Sequence, residues 1–176
     1  MHVDKSIKIY PLAKLVNPEN VILGHHVIID DFVFIVAKKQ IRIGNYVHIA
    51  SFSSITGGEE FSIGDYSTLS SGARIFTGTE YVYGESLLGA SIPALYRKVV
   101  RLPVEIGKHC MVGANSVILP GVVLPDGVVI GAMSLVLQDT LLKPWSIYAG
   151  CPVRRLRMRP KAMILALAEQ LEANCG

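Results

Sequence analysis

Residues 106–141 read IGKHCM VGANSV ILPGVV LPDGVV IGAMSL VLQDTL, six consecutive blocks of six with no residue left over. Each block opens on Ile, Val or Leu (Ile106, Val112, Ile118, Leu124, Ile130, Val136). The fifth residue of each is small or β-branched (Cys110, Ser116, Val122, Val128, Ser134, Thr140). A period of six matches neither a helix nor an ordinary alternating strand. It matches short flat strands joined by fixed corners, each corner aiming one aliphatic and one small side chain into a narrow interior. Three such sides close a triangular coil of about 18 residues, and stacked coils make an all-β fold, a parallel β-helix.

Upstream, the hexads begin at Leu23 as LGHHVI, IDDFVF, IVAKKQ. A two-residue slip leads to IGNYVH, IASFSS, ITGGEE, and a second slip to IGDYST, LSSGAR, IFTGTE. Every lead position is Leu, Ile or Val; among the fifth positions, Lys39 and Glu59 depart from the rule, each on the third side just before a slip. Leu23, Ile43 and Ile63 open successive coils, so both slips leave from one corner. The next coil opens at Ile106, and the excess chain is an insertion at that same corner over residues 79–103, TEYVYGESLLGASIPALYRKVVRLP. Loops that leave a rigid solenoid carry binding residues. Glu80, Tyr81, Tyr83, Glu85 and Arg97 are therefore candidate substrate contacts, the alternative being a loop that only packs on a neighbouring subunit.

Residues 1–22, with Val3, Ile7, Ile9 and Val21 as possible strand positions and NPEN at 17–20 as a turn, read as an irregular first coil or cap. After residue 141 comes an extended exit, then a basic run of Arg154, Arg155, Arg157 and Arg159. Pro160 is placed to open a helix with Met163, Ile164, Leu167 and Leu171 on one face. The expected organisation is a β-helix domain over 1–159 and a short C-terminal amphipathic helix over 160–176, packed on the coil end or on a neighbour.

Composition agrees with a thin prism: 51% of residues are hydrophobic but only 7% aromatic, so the core is aliphatic. A formal charge of +3, spread along the chain, argues against nucleic acid. Three cysteines, Cys110, Cys151 and Cys175, are an odd number without framework spacing and point to a reducing compartment. Cys110 sits at an inward small position and reads as filler. The N-terminus MHVDKSIKIYPL lacks a signal peptide's apolar region, and no run of about 18 apolar residues occurs. The expectation is a cytoplasmic protein without a membrane span.

On these motifs the chain resembles the hexapeptide-repeat acyltransferases, the left-handed parallel β-helix family, over about residues 23–159. IGKHCMVGANSVILPGVVLPDGVVIGAMSLV followed by WSIYAGCPVRRLR carries the match. Within the family it looks most like small sugar acetyltransferases serving surface polysaccharides and nucleotide-linked amino sugars. The resemblance implies left-handed coiling, a homotrimer, and acetyl-coenzyme A lying in a groove between adjacent prisms. It further implies a sugar or nucleotide-sugar acceptor and no metal.

Acyl transfer from a thioester needs a base for the acceptor, a donor for the developing oxyanion and a site for the coenzyme. Family members commonly use a histidine as base, and this loop contains none, which leaves His109, pointing outward at a corner of the first coil after the loop. The alternative is that it fills a tolerant corner position. Equivalent residues of successive coils lie about 4.8 Å apart. The fourth-residue column thus runs His26, Tyr46, Tyr66, His109, Gly127, and the third-residue column His25, Asn45, Asp65, Lys108, Asp126. Asp65 and Tyr66 lie below His109 as candidates to orient its ring, with Glu80 and Glu85 as rivals.

Backbone N–H groups at Gly113 and Ala114 are the candidate oxyanion donors, and Ala132 a candidate contact for the pantetheine arm. Related enzymes often carry a Thr-Lys pair after this point; the matching residues here are Leu137 and Gln138, the latter kept as a candidate contact. Arg155 and Arg157 stand where the family places basic contacts to the coenzyme phosphates, the alternative being a solvated surface. Ser51 and Ser53 stand near the position of an acceptor-binding asparagine in some members.

Two other functions fit the same prism. A γ-type carbonic anhydrase needs a histidine pair about five residues apart plus a third a coil away. Here His25 and His26 are adjacent, while His48 and His109 are isolated. A noncatalytic scaffold needs neither the long loop nor the basic exit strand.

Overall fold

The computed structural model describes residues 5–175, so Val3 and Gly176 lie outside the described residues. Each hexad folds as a strand of two or three residues and a corner, and equivalent strands of successive coils pair in parallel. Three faces result: an 8-stranded sheet (face one), a 6-stranded sheet (face two) and a 5-stranded sheet (face three). The lead residues form the core, with Ile29, Ile35, Ile49, Ile55, Leu69, Ile75, Val112, Ile118 and Ile130 all fully buried. Each such side chain contributes roughly 1.5–3 kcal/mol.

The regular coils start earlier than expected. Lys8–Ile9 pairs with Ile28–Ile29, Lys14–Val16 with Phe34–Val36, and Val21–Leu23 with Ile41–Ile43. Residues 8–23 are thus a full first coil with Ile9 and Leu15 in the lead column, and Pro18–Asn20 is a 3-10 turn between faces two and three. Ile9 is exposed because no coil lies beneath it among the described residues.

Both slips and the insertion leave from that same edge between faces two and three. The slips fall before the fifth position, not after it. Ile41, Phe61, Val104 and Val122 share one inward column on face three, while Lys39 and Glu59 lie in the excursions. An insertion of two residues preserves the strand's inward–outward alternation. The two apparent exceptions pair with each other, Lys39 Nζ lying 2.5 Å from Glu59 Oε1. The Lys39 hydrogen bond holds the Glu59 carboxyl below its ordinary range.

The inserted segment is rooted as an antiparallel ribbon, Gly78–Glu80 against Val99–Arg101. A Cβ on Gly57 (φ 123°) would meet the Gly78 nitrogen at 2.1 Å, so glycine at 57 lets the ribbon leave against the coil beneath. The exit segment also continues the coil. Ser146–Gly150 joins face one parallel to Val129–Ile130, with Ser146 and Tyr148 buried, and Val153–Met158 folds back on it antiparallel.

The helix spans Ala162–Cys175 and starts two residues after Pro160. The Arg159 N–H donates to the Trp145 carbonyl at 2.8 Å, which holds the preceding residue in the hairpin and delays the helix. Rather than capping the coil end, the helix lies beside the edge between faces three and one. There Ile164, Leu167 and Leu171 approach Tyr66 and His109, and Tyr66 donates to Glu172 Oε1 at 2.7 Å. Among the described residues no helix is long and apolar enough to cross a membrane.

Inward serines satisfy backbone groups that an aliphatic residue would strand. Ser116 Oγ donates to the Gly131 carbonyl at 2.7 Å and accepts from the Ser134 N–H at 3.1 Å, all within the prism. Cys110 is buried like them, and burial pushes its thiol up to about 11, consistent with filler. Ser116→Ala is expected to destabilise the fold by about 1–3 kcal/mol through the unsatisfied Ser134 N–H, measured by urea unfolding.

Candidate active site

The predicted fourth-residue column is an aromatic ladder. His26, Tyr46, Tyr66 and His109 stack with ring centroids 4.5, 5.2 and 5.0 Å apart and interplanar angles of at most 13°. Each occupies a left-handed corner with φ between 54° and 59°, so every side chain leaves its coil in the same direction. Trp145 continues the ladder over His109 at 5.7 Å. It lies where a Cβ on Gly127 would sit, and glycine at that corner makes room for the indole. Trp145 has no role of its own in the sequence reading, which names Arg159 only as the end of the basic run. Arg159 donates to the carbonyls of His109 and Gly127, at 2.5 and 3.1 Å.

Neither expected partner hydrogen-bonds the His109 ring. Asp65 Oδ1 accepts from the Asn45 N–H at 2.8 Å, and Oδ2 pairs with Lys108 Nζ at 2.8 Å. Column geometry explains the choice: Lys108, not His109, stands in the column of Asp65. Burial raises the Asp65 carboxyl, but the Lys108 ammonium and the Asn45 N–H outweigh it, so the net shift is downward. Tyr66 meets His109 face to face and sends its hydroxyl to Glu172 instead; burial and that carboxylate push it up to about 12. Burial, then the nearby Arg159 guanidinium, hold the His109 imidazole below its ordinary value.

The candidate coenzyme contacts lie elsewhere, on the edge between faces one and two. Gly113 and Ala114 form that corner in one coil, and Gly131 and Ala132 in the next, with Ala132 exposed. A Cβ on Gly113 would meet the Ala132 nitrogen at 2.5 Å, so the two corners are in close contact. Ser70, Ser71 and Gly72 continue the edge toward the N-terminus, where the stacked pair Phe52–Phe32 (5.1 Å) projects. At the other end Arg155 and Arg157 are exposed on Val153–Met158, Arg155 donating through Nε to Ser146 Oγ. Gln138 is exposed in the turn beyond face two.

This edge holds a pair that sequence reasoning missed. His48 Nε2 and Asp30 Oδ2 are 2.9 Å apart, with side chains 43% and 27% exposed. His48 lies beside Ile28 in the parallel ladder, and Asp30 is the diagonal neighbour two residues on. The column argument applied to the second and sixth residues of the hexad, rather than the third and fourth alone, contains the signal.

The loop occupies the remaining edge, between faces two and three. Arg97 pairs with Glu80 at its base, and both Glu80 Oε2 and Arg97 Nε are buried without a partner among the described residues. Glu85 is held by Lys98 at 3.0 Å, and Lys98 lies 3.9 Å over the Tyr81 ring. Tyr83 meets Tyr81 edge-on and is 80% exposed. Glu85, Tyr96, Arg97 and Lys98 line a cleft of about 460 Å³. Within one chain, then, the ladder, the small-residue edge and the loop stand on three different edges.

Comparison with known proteins gives this arrangement a context. The family described as the hexapeptide repeat of succinyl-transferase matches residues 103–134. The chain is 34% identical over 163 residues to a dTDP-4-amino-4,6-dideoxy-D-glucose acyltransferase of Escherichia coli, spanning 92% of this chain and 84% of that one. It superposes on AntD, an N-acyltransferase from Bacillus cereus in complex with dTDP and 3-hydroxybutyryl-CoA. The TM-score is 0.88 at 33% identity, covering 99% of this chain and 91% of the other. A variant of the same enzyme, in complex with dTDP-4-amino-4,6-dideoxyglucose and coenzyme A, also scores 0.88 at 33% identity, over 96% and 88% of the two chains.

The depressed His109 value makes a stability prediction. The folded chain binds this proton more weakly than the unfolded one, so the contribution is fully present above the ordinary value of 6.5 and is lost as pH falls through the folded value. His109→Phe keeps a ring in the ladder and removes the titration. Its melting temperature is expected to fall less than that of the wild type between about pH 7.5 and about pH 5, followed by circular dichroism.

Proposed function

The chain belongs to the hexapeptide-repeat acyltransferase family and is an acyltransferase using an acyl-coenzyme A donor, and we propose that its acceptor is the amine of a nucleotide-linked amino sugar. The E. coli relative, named for a dTDP-linked amino sugar, and AntD, seen with dTDP and acyl-coenzyme A, support that acceptor class over nearly the whole chain. The structural observation that carries it is Glu80. Glu80 stands at the root of the loop paired with Arg97, and its carboxylate is the acceptor proposed for the N–H groups of the amine. Acetyl is the proposed acyl group. An acceptor of this class fits a precursor of surface polysaccharide and a cytoplasmic enzyme.

In this reading the phosphates of the coenzyme meet Arg155 and Arg157, and Gln138 flanks them. The pantetheine arm descends past Ala132 to the Gly113–Ala114 corner, with the thioester carbonyl just below it toward Ser70. The Gly113 N–H is spent on the Ile130 carbonyl at 2.8 Å, so of the two expected donors only the Ala114 N–H remains for the thioester oxygen. Tyr81, Tyr83, Glu85 and Arg97 shape the acceptor side of the loop. Asp65, Tyr66 and His109, expected as the catalytic group, are assigned here to a packing edge under the C-terminal helix, since they stand on a different edge from the small residues. The loop and the coenzyme edge are separated by the width of face two, so a homotrimer in which the loop of one prism meets the edge of the next completes the site.

Coenzyme A thiol release with dTDP-4-amino-4,6-dideoxyglucose is the test of the activity, run with acetyl- and 3-hydroxybutyryl-coenzyme A. Release with the amino sugar and none with its 4-hydroxy counterpart is expected, and Glu80→Gln is expected to lower the rate roughly 10–100-fold. Release with the hydroxyl sugar alone would overturn the reading. The shared site predicts complementation. With Glu80→Gln at its reduced rate and Ala132→Trp blocking the coenzyme edge, trimers assembled from an equal mixture are expected to recover about a quarter of the wild-type sites, a rate above that of either variant alone. No recovery in verified mixed trimers would place the site within one chain.

A further inference from the structure

The small-residue edge ends at a histidine–carboxylate pair that no step above has used. Counting down the first face, Tyr148, Ile130, Val112, Leu69, Ile49 and Ile29 occupy one register position, so the corners that follow them stack. From the arginine hairpin to Ser70 is three coil spacings, about 14 Å, the reach of an extended pantetheine arm. One coil further the edge stops being small: Phe52 projects there, 61% exposed and stacked on Phe32. A thioester lying along this edge has its carbonyl near Ser70, and His48 stands one strand spacing beneath, its Cα paired with that of Thr68.

We propose that His48, held by Asp30, is the general base of the transfer. The assignment rests on the coenzyme track described above. An ionised carboxylate only accepts hydrogen bonds, so the 2.9 Å contact with Asp30 Oδ2 puts the ring proton on Nε2. Nδ1 then carries the lone pair, and among the described residues no group hydrogen-bonds it. Asp30 acts through His48, as a positioning residue that fixes the tautomer and stabilises the imidazolium. His109 offers no comparable arrangement: its ring lies between two aromatic rings on a different edge.

The step balances without any further reactant. The amine nitrogen adds to the thioester carbonyl carbon, the C–S bond breaks as the C–N bond forms, and the nitrogen proton passes to His48 Nδ1. From there it goes to the departing sulfur, which leaves as the thiol. Transfer directly or through one water is within reach of a side chain one coil away.

The experiment measures thiol release by wild type, His48→Ala, His48→Asn and Asp30→Asn, with the dTDP-linked amino sugar and in parallel with glucosamine at high concentration. His48→Ala and His48→Asn are expected to lose roughly 10²-fold in kcat, with KM for the coenzyme little changed and unfolding midpoints like wild type. Added imidazole restores part of the His48→Ala rate. Asp30→Asn is expected to lower kcat less than His48→Ala does, with KM for the coenzyme little changed. Wild-type kcat in His48→Asn, or a loss in His48→Ala that imidazole leaves unchanged, would overturn the assignment while leaving the proposed acceptor intact. Transfer to glucosamine alone would overturn the acceptor and leave the His48 arms decisive. No transfer by wild type to either amine would overturn both.

Discussion

In-register stacking of coils at one strand spacing is the constraint on which the rest of this molecule depends. Each coil presents the same corner at the same height, so a residue's surroundings are set by its equivalents in the coils above and below as much as by its chain neighbours. Inside, this demands aliphatic leads and small fifth residues, with serine tolerated where its hydroxyl bridges backbone groups of adjacent coils. Outside, it converts corner positions into ladders: His26, Tyr46, Tyr66, His109 and Trp145 on one edge, Phe32 and Phe52 on another. The two slips and the long insertion are tolerated because they leave at a corner, and the strands on either side keep their register and their inward column.

The same constraint separates the chemistry. A prism has three edges, and this chain uses one for an aromatic ladder roofed by its helix, one for a strip of small residues ending at His48 and Asp30, and one for the loop. The faces between them are packed sheets that cannot fold to bring the edges together. The proposed homotrimer gathers these groups by placing prisms side by side. The rigid solenoid fixes each edge to within a coil spacing, and the loop supplies the reach. Stability and reactivity are thus assigned to different residues: the buried leads hold the prism, and the half-exposed corner side chains, which cost the fold little, are available for catalysis.

Much of the fold was legible because the hexad signal repeats at every coil. The leads from Leu23 to Val136, the shared corner for both slips and the position of the insertion all follow from one-dimensional spacing. The signal failed where a coil departs from the aliphatic rule. Ile9 and Leu15 belong to a first coil, but Tyr10-Pro11 and the turn at Pro18–Asn20 interrupt the pattern. Tyr148 occupies a lead position that the pattern reserves for Ile, Leu or Val, so the final strand of face one read as an extended exit. Lys39 and Glu59 were taken as fifth residues because counting cannot tell whether a slip falls before or after that position; the buried Ile41 and Phe61 show that it falls before.

By itself the sequence determined the period, the number of sides, the edge from which the loop leaves and the columns in which residues stack, since all are consequences of spacing along one chain. Family membership was also readable there, because the hexads and the exit motif are local. Tertiary structure alone decided which members of neighbouring columns bond: Asp65 chose Lys108 over His109, Tyr66 turned its hydroxyl to Glu172, and His48 found Asp30 across a diagonal. Those choices depend on side-chain length and direction at a corner, where several partners lie within one coil spacing and the one that aligns its donor with an acceptor wins.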